Sequence, residues 1–143
     1  MRTLTMAALF LGLIAFITPD FSKPIQAYEP SAAALNYALF RQAVHQYVFS
    51  GHKTAGPIPA GSLQMPSGWI TMRPWNAQIA SGFLYVWGVA SPDEIEATRE
   101  LFWESYAIGR ASGGLLVPNY GGTTSIPSFV PDGNLVSVVG IGS

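Results

Sequence analysis

Gly82-Phe83-Leu84-Tyr85-Val86-Trp87 leads, across Gly88-Val89-Ala90, into Ser91-Pro92-Asp93-Glu94, so a strand signal stands directly before a helix signal. The first run is aromatic and β-branched, has a glycine at its start, and is apolar on both faces. That pattern predicts a central strand covered by helices. The second run combines an N-cap serine, a proline at the first helical position and a glutamate three residues after the cap. It predicts a helix from Pro92 to about Ile108, stopping near Gly109 and burying Ile95, Phe102 and Tyr106, with Leu101 and Trp103 beside them. Upstream, Trp69-Ile70-Thr71-Met72 reads as a second strand and a neighbour of the first. Gly51 to Pro66 is turn-rich, with Pro57, Pro59 and Gly61 among short apolar pieces. Before it, Ser31 is a fair N-cap for a helix to about Ser50, with Gly51 as its stop. Tyr37, Phe40, Val44, Tyr47 and Val48 define the apolar face of that helix; Arg41, Gln42, His45 and Gln46 lie mostly off it. Downstream come a strand at Leu115-Leu116-Val117, a Gly-Thr-Ser loop, a turn at Pro131-Asp132-Gly133-Asn134, and a strand at Leu135-Val136-Ser137-Val138-Val139. The expected fold is α+β: an N-terminal hydrophobic segment, then a small, mainly antiparallel sheet packed with two helices.

Composition narrows the class. At 143 residues there is room for one domain, against about 150 per domain in general. Charged residues are 10% and apolar ones 49%, a balance that excludes a disordered chain. Seven Lys+Arg against eight Asp+Glu leave a net charge of −1, with no basic stripe to displace counterions from a phosphate backbone. Nucleic acid is therefore not an expected partner. The absence of cysteine removes disulfides, thiolate nucleophiles, haem attachment and cysteine zinc sites. A domain of this size must then be held by its own core.

Met1-Arg2-Thr3 precedes the uncharged run Leu4–Ile17, and the first acid is Asp20. This is the layout of an export signal. Fourteen residues cover about 21 Å, short of the ~30 Å hydrocarbon core, so length favours a signal peptide over a comfortable spanning helix. Cleavage after Ala27 would leave Ile25 at −3, a mediocre residue there, and an uncleaved inner-membrane anchor is the alternative. The expected division is residues 1–18 as export signal or anchor, 19–30 as a proline-containing linker, and 31–143 as the folded domain outside the cytoplasm.

Catalytic patterns are sparse. Asp93, Glu96, Glu100 and Glu104 fall near one helical stripe, which fits either a cation site or a solvated acidic face favoured by the helix dipole. No companion His or Asp cluster supports a metal, and none is expected. His45 and His52 lack a third zinc ligand. Ser112, in Gly109-Arg110-Ala111-Ser112-Gly113, misses the nucleophile-elbow spacing by one residue. Gly121-Gly122-Thr123-Thr124 lacks the lysine of a phosphate loop, so no cofactor and no small-molecule substrate are expected. Trp69 and Trp75, flanking Arg73 and Pro74, fit either an exposed platform for a glycan or partner protein or the filling of a small core.

The run Ala34-Leu35-Asn36-Tyr37…Phe40-Arg41-Gln42-Ala43-Val44…Tyr47, with Gly56-Pro57-Ile58, Leu63, Pro66-Ser67-Gly68-Trp69, Trp75 and Gly82–Trp87, resembles the PilM family. Ile126-Pro127…Val130-Pro131-Asp132-Gly133-Asn134-Leu135-Val136 also looks like that family, and the resemblance spans about residues 1–137. These are small proteins of type IVB thin-pilus operons, often on conjugative plasmids, distinct from the cytoplasmic actin-like ATPase that shares the name. The resemblance implies an inner-membrane protein with a periplasmic domain, serving the pilus basal body or pilin transport, with no catalytic residues to carry over. The expected function is non-enzymatic assembly through periplasmic contacts with other pilus proteins, made by Trp69, Arg73, Trp75, Glu96 and Glu100. Alternatives are a periplasmic glycan- or peptidoglycan-binding module using the tryptophans, or a minor-pilin-like subunit, although the Gly/Glu processing pair of a pilin is missing.

Overall fold

The computed structural model describes residues 29–142. The apolar run Leu4–Ile17, the cleavage position after Ala27 and almost all of the 19–30 linker lie outside the described residues. Within them the chain is α+β. Helix α1 (Pro30–Phe49) starts earlier than Ser31 predicts. Glu29 is the N-cap, its Oε2 accepting from the Ala32 N–H at 3.1 Å, and Pro30 occupies the first turn, where a missing N–H costs nothing. Strand β1 (Gly56–Pro57) and a single 3₁₀ turn (Ala60–Ser62) follow, then β2 (Asn76–Ala80), β3 (Phe83–Gly88) and α2 (Pro92–Leu101). Strands β4 (Ile108–Ser112), β5 (Leu115–Val117), β6 (Thr124–Ser125) and β7 (Leu135–Gly140) complete the fold.

The seven strands form one sheet in the order β1-β2-β3-β7-β4-β5-β6, with every pair antiparallel. The last strand thus enters the middle, placing Val86 opposite Ser137 and Trp87 opposite Val136. Alternation splits β3 between two cores. Leu84 and Val86 face the helices, with Tyr37, Phe40, Val44, Ile95, Ile108 and Leu135. Tyr85 and Trp87 face the other way, with Ala111, Leu116, Ile126, Val130 and Val136. Among the described residues, helices cover only the first face. The second is covered by the segment between β6 and β7, whose Phe129 ring sits 5.1 Å from Trp87 and 5.6 Å from Tyr85.

Four expectations are corrected. Residues 69–72 form no strand; the neighbour of β3 is Asn76–Ala80, whose Ala77 and Ile79 are buried and whose Asn76 is exposed. The second helix stops at Leu101 rather than Ile108, because the chain turns through left-handed backbone at Trp103 (φ 54°) and Glu104 (φ 57°). Ile108 therefore begins a strand, and Tyr106 and Trp103 are exposed rather than buried. The Gly-Thr-Ser loop contains the short edge strand β6.

Candidate functional site

The segment carrying Trp69, Arg73 and Trp75 is fixed to α1 by one side chain. Asn36 Nδ2 donates to the Ile70 carbonyl at 2.9 Å, while Asn36 Oδ1 accepts from Met72 N–H at 3.0 Å and from Trp75 Nε1 at 2.8 Å. Trp75 is only 7% exposed and meets Tyr37 edge-on at 5.2 Å. Trp69 is half-buried and stacks on Phe40, with ring centroids 6.4 Å apart. Between them lies an apolar cavity of about 190 Å³, lined by Phe40, Leu63, Met65, Trp69 and Trp75 among others. Arg73 is buried too, donating from an Nη atom to Glu94 Oε2 at 2.8 Å. The other oxygen of Glu94 accepts from Ser91 N–H at 2.8 Å, closing the capping box of α2. Of the two readings of this segment, core filling holds for Trp75 and Arg73, which are buried, while Trp69 is half-buried against Phe40; the sequence gives no sign of Asn36 as the clamp.

Glu96 and Glu100 lie on the outer side of α2. Glu96 pairs with Arg99 at 3.1 Å and accepts from Asn119 Nδ2, which also donates to Glu104. Asn119 therefore ties the loop after β5 to the end of the helix. Among the described residues no group of three His, Asp or Glu is arranged to hold a metal ion. Just past α2 lies a surface that periodicity missed, since extending the helix to Ile108 buries it. Trp103 is 92% exposed, Tyr106 68% and Tyr120 70%. Tyr106 and the 119–122 loop are neighbours, because a Cβ placed on Gly121 would stand 3.3 Å from Tyr106 Cβ. The two segments that meet at this corner thus carry three exposed aromatic residues, and Asn119 bonds Glu104 across them.

Under α1 the polar groups are structural. Tyr37 is fully buried, its hydroxyl donating to the Val86 carbonyl at 2.8 Å. Burial pushes its pKa up to about 12, opposed in part by Ser137 and Arg41. Arg41 donates from Nε to Ser137 Oγ at 3.1 Å and lies over the Phe102 ring at 5.0 Å; burial pulls its pKa down. His45 is half-buried, and desolvation, with the nearby Arg41 charge, lowers its pKa to about 4. His52 is exposed at the far end of α1 and stacks on Tyr47 at 4.0 Å. The two histidines therefore serve different surroundings.

No curated protein matches this chain. A crystal structure of PilM from Escherichia coli B7A aligns with a TM-score of 0.59 and 17% sequence identity, covering 82% of this chain and 99% of that one. That likeness shows a shared fold. The family model for PilM matches residues 6–138, which takes in both helices, nearly the whole sheet, the Asn36 clamp and the aromatic corner. With the match running through nearly all of its length, the chain belongs to the PilM family.

Proposed function

We propose that this protein is a non-enzymatic component of type IVB pilus biogenesis, held at the inner membrane with its folded body in the periplasm, and that it works by binding other pilus proteins. Family membership supports a pilus-related role. The contact surface is carried by one observation: three exposed aromatic residues, led by a tryptophan 92% exposed, lie on two segments that touch, 103–106 just past α2 and the 119–122 loop. Tryptophan and tyrosine dominate the energetics of protein interfaces because they bury much area at little entropic cost. A protein of this size gains nothing in stability from displaying them. Glu96, bonded to Asn119 of that loop, and Glu100, one turn further along α2, supply a polar rim.

The test is piliation in a strain lacking the native copy. Trp103→Ala combined with Glu100→Arg is expected to reduce pili at least tenfold, with protein abundance unchanged. Normal piliation with that pair would remove the contact surface from the proposal. Intact mass after carbonate extraction tests the membrane assignment. Retention of Met1 in carbonate-resistant membranes is the expected result, whereas a soluble species beginning near Tyr28 would overturn anchoring.

A further inference from the structure

The outer side of α1 borders a second concave surface, unrelated to the aromatic corner. Two adjoining depressions, of about 540 and 450 Å³, run between α1 and the 62–66 loop and share Ala43, Gln46 and Gln64 as lining. Their volumes fall in the range of ordinary ligand sites. No Asp, Glu, Lys or Arg lines either one. Three primary amides meet there instead. Gln42 and Gln46 are one turn apart on α1, and Gln64 comes from the facing loop. All three are exposed, and none makes a side-chain hydrogen bond to another described residue.

One end of the groove is built rather than merely lined. The His52 ring lies flat on Tyr47, at 4.0 Å and 9°. Its Nδ1 is 2.9 Å from the Tyr47 carbonyl, so in the neutral ring Nδ1 carries the proton and Nε2 is left as an acceptor. Ser50 Oγ donates to the same carbonyl at 2.7 Å, holding the turn that places the ring. The groove thus offers amide donors and acceptors, an oriented imidazole acceptor, an aromatic edge and small apolar patches at Ala43 and Met65.

We infer that this groove binds a neutral amino-sugar chain bearing N-acetyl groups. An N-acetyl amide can give and take a hydrogen bond with a glutamine amide, while its methyl group needs only a small apolar contact such as Ala43 or Met65. Ring hydroxyls suit the mixed donors and acceptors. The absence of lining charges disfavours phosphate and charged peptides, which would find no counter-ion. An extended peptide is the competing occupant, because the facing 62–66 loop offers main-chain N–H groups at Gln64 and Met65, and the peptide arm of the test separates the two. This inference goes beyond the assembly role and does not depend on it.

The test is calorimetric titration of the full chain, in a detergent without a sugar headgroup, with N-acetylchitotetraose. Binding with a Kd of about a millimolar or tighter is expected, weakened about tenfold by Gln46→Ala and likewise by Gln64→Ala. Both glutamines are exposed, so both variants should fold, which circular dichroism checks. Lack of binding by the unaltered chain would overturn the inference, as would binding that neither substitution weakens. Glutamine-dependent binding of tetra-alanine in place of the sugar would make the groove a peptide site and equally overturn it.

Discussion

Glu94 combines a local role with a distant one. Its Oε1 caps α2 through Ser91, and its Oε2 meets a guanidinium 21 residues earlier in the chain. The cap is legible in the sequence, since Ser91 and Glu94 are three residues apart; the Arg73 pair is not, because nothing local announces it. Glu94→Gln keeps an oxygen for Ser91 but removes a negative charge paired with a buried arginine. A loss of about 3–5 kcal/mol is expected in urea denaturation. Adding Arg73→Leu should recover much of it, since a buried pair replaced by apolar groups costs far less than a broken one. Gly88 is equally specific. A Cβ there would fall 2.3 Å from Trp75 Cε3, and the indole is pinned by Asn36 and Tyr37. Gly88→Ala should therefore destabilise by about 1–3 kcal/mol or more, read as a lowered urea midpoint.

Strands β2 and β4 went unread because neither has the aromatic, β-branched composition of β3. Asn76-Ala77-Gln78-Ile79-Ala80 and Ile108-Gly109-Arg110-Ala111-Ser112 hold their places through ladder bonds with better strand formers. The local cue for both lies in the turns that follow. Ser81 and Gly82 have φ of 54° and 80°, and Gly113 and Gly114 have 58° and 78°, so both hairpins close through two left-handed residues. Helix α2 shows the opposite error: strong initiation with no Gly or Pro to mark its end before Gly109. Its stop at Leu101 comes from the turn at 102–104, where the Glu104 N–H donates to the Arg99 carbonyl at 2.7 Å. Two substitutions separate its ends. Ser91→Ala should cost about 1 kcal/mol through loss of the cap. Trp103→Ala, beyond the last turn and almost fully exposed, should change stability by no more than about 0.5 kcal/mol. Thermal unfolding of the two variants distinguishes a structural from a contact role for Trp103.

The sheet divides the molecule into two cores; the largest pKa shifts lie on the side that the helices cover, while burial also raises Tyr85 on the other. His45 has a pKa near 4 when folded and 6.5 ordinarily, because burial disfavours the charged ring. Between those values the unfolded chain binds the extra proton, so folding weakens as pH falls from about 6.5 through 4 and is unaffected by this group above that window. His45→Leu should flatten the stability–pH curve within the window, as measured by urea midpoints from pH 7 to 4. Tyr37 works at the other extreme. Its pKa of about 12 means that stability declines as pH rises above 10 toward 12, and Tyr37→Phe should shrink that limb, leaving the part due to Tyr85, whose pKa burial also raises.

The α+β class, the long first helix, the start of the second, the central strand at 83–88 and the final strand at 135–140 could all be read from the chain. So could the lack of charge and of any familiar catalytic pattern. These depend on neighbours within a few residues: caps, turn residues and apolar spacing. What required the folded chain was the fate of individual side chains. Trp69, Arg73 and Trp75 could equally have formed a surface, and it is Asn36 and Glu94, 39 and 21 residues from their partners, that draw them inward. Trp103 moved the other way, from expected core to exposed corner, because a left-handed turn ended the helix. Burial depends on what arrives from elsewhere in the chain, and sequence spacing carries no record of those meetings.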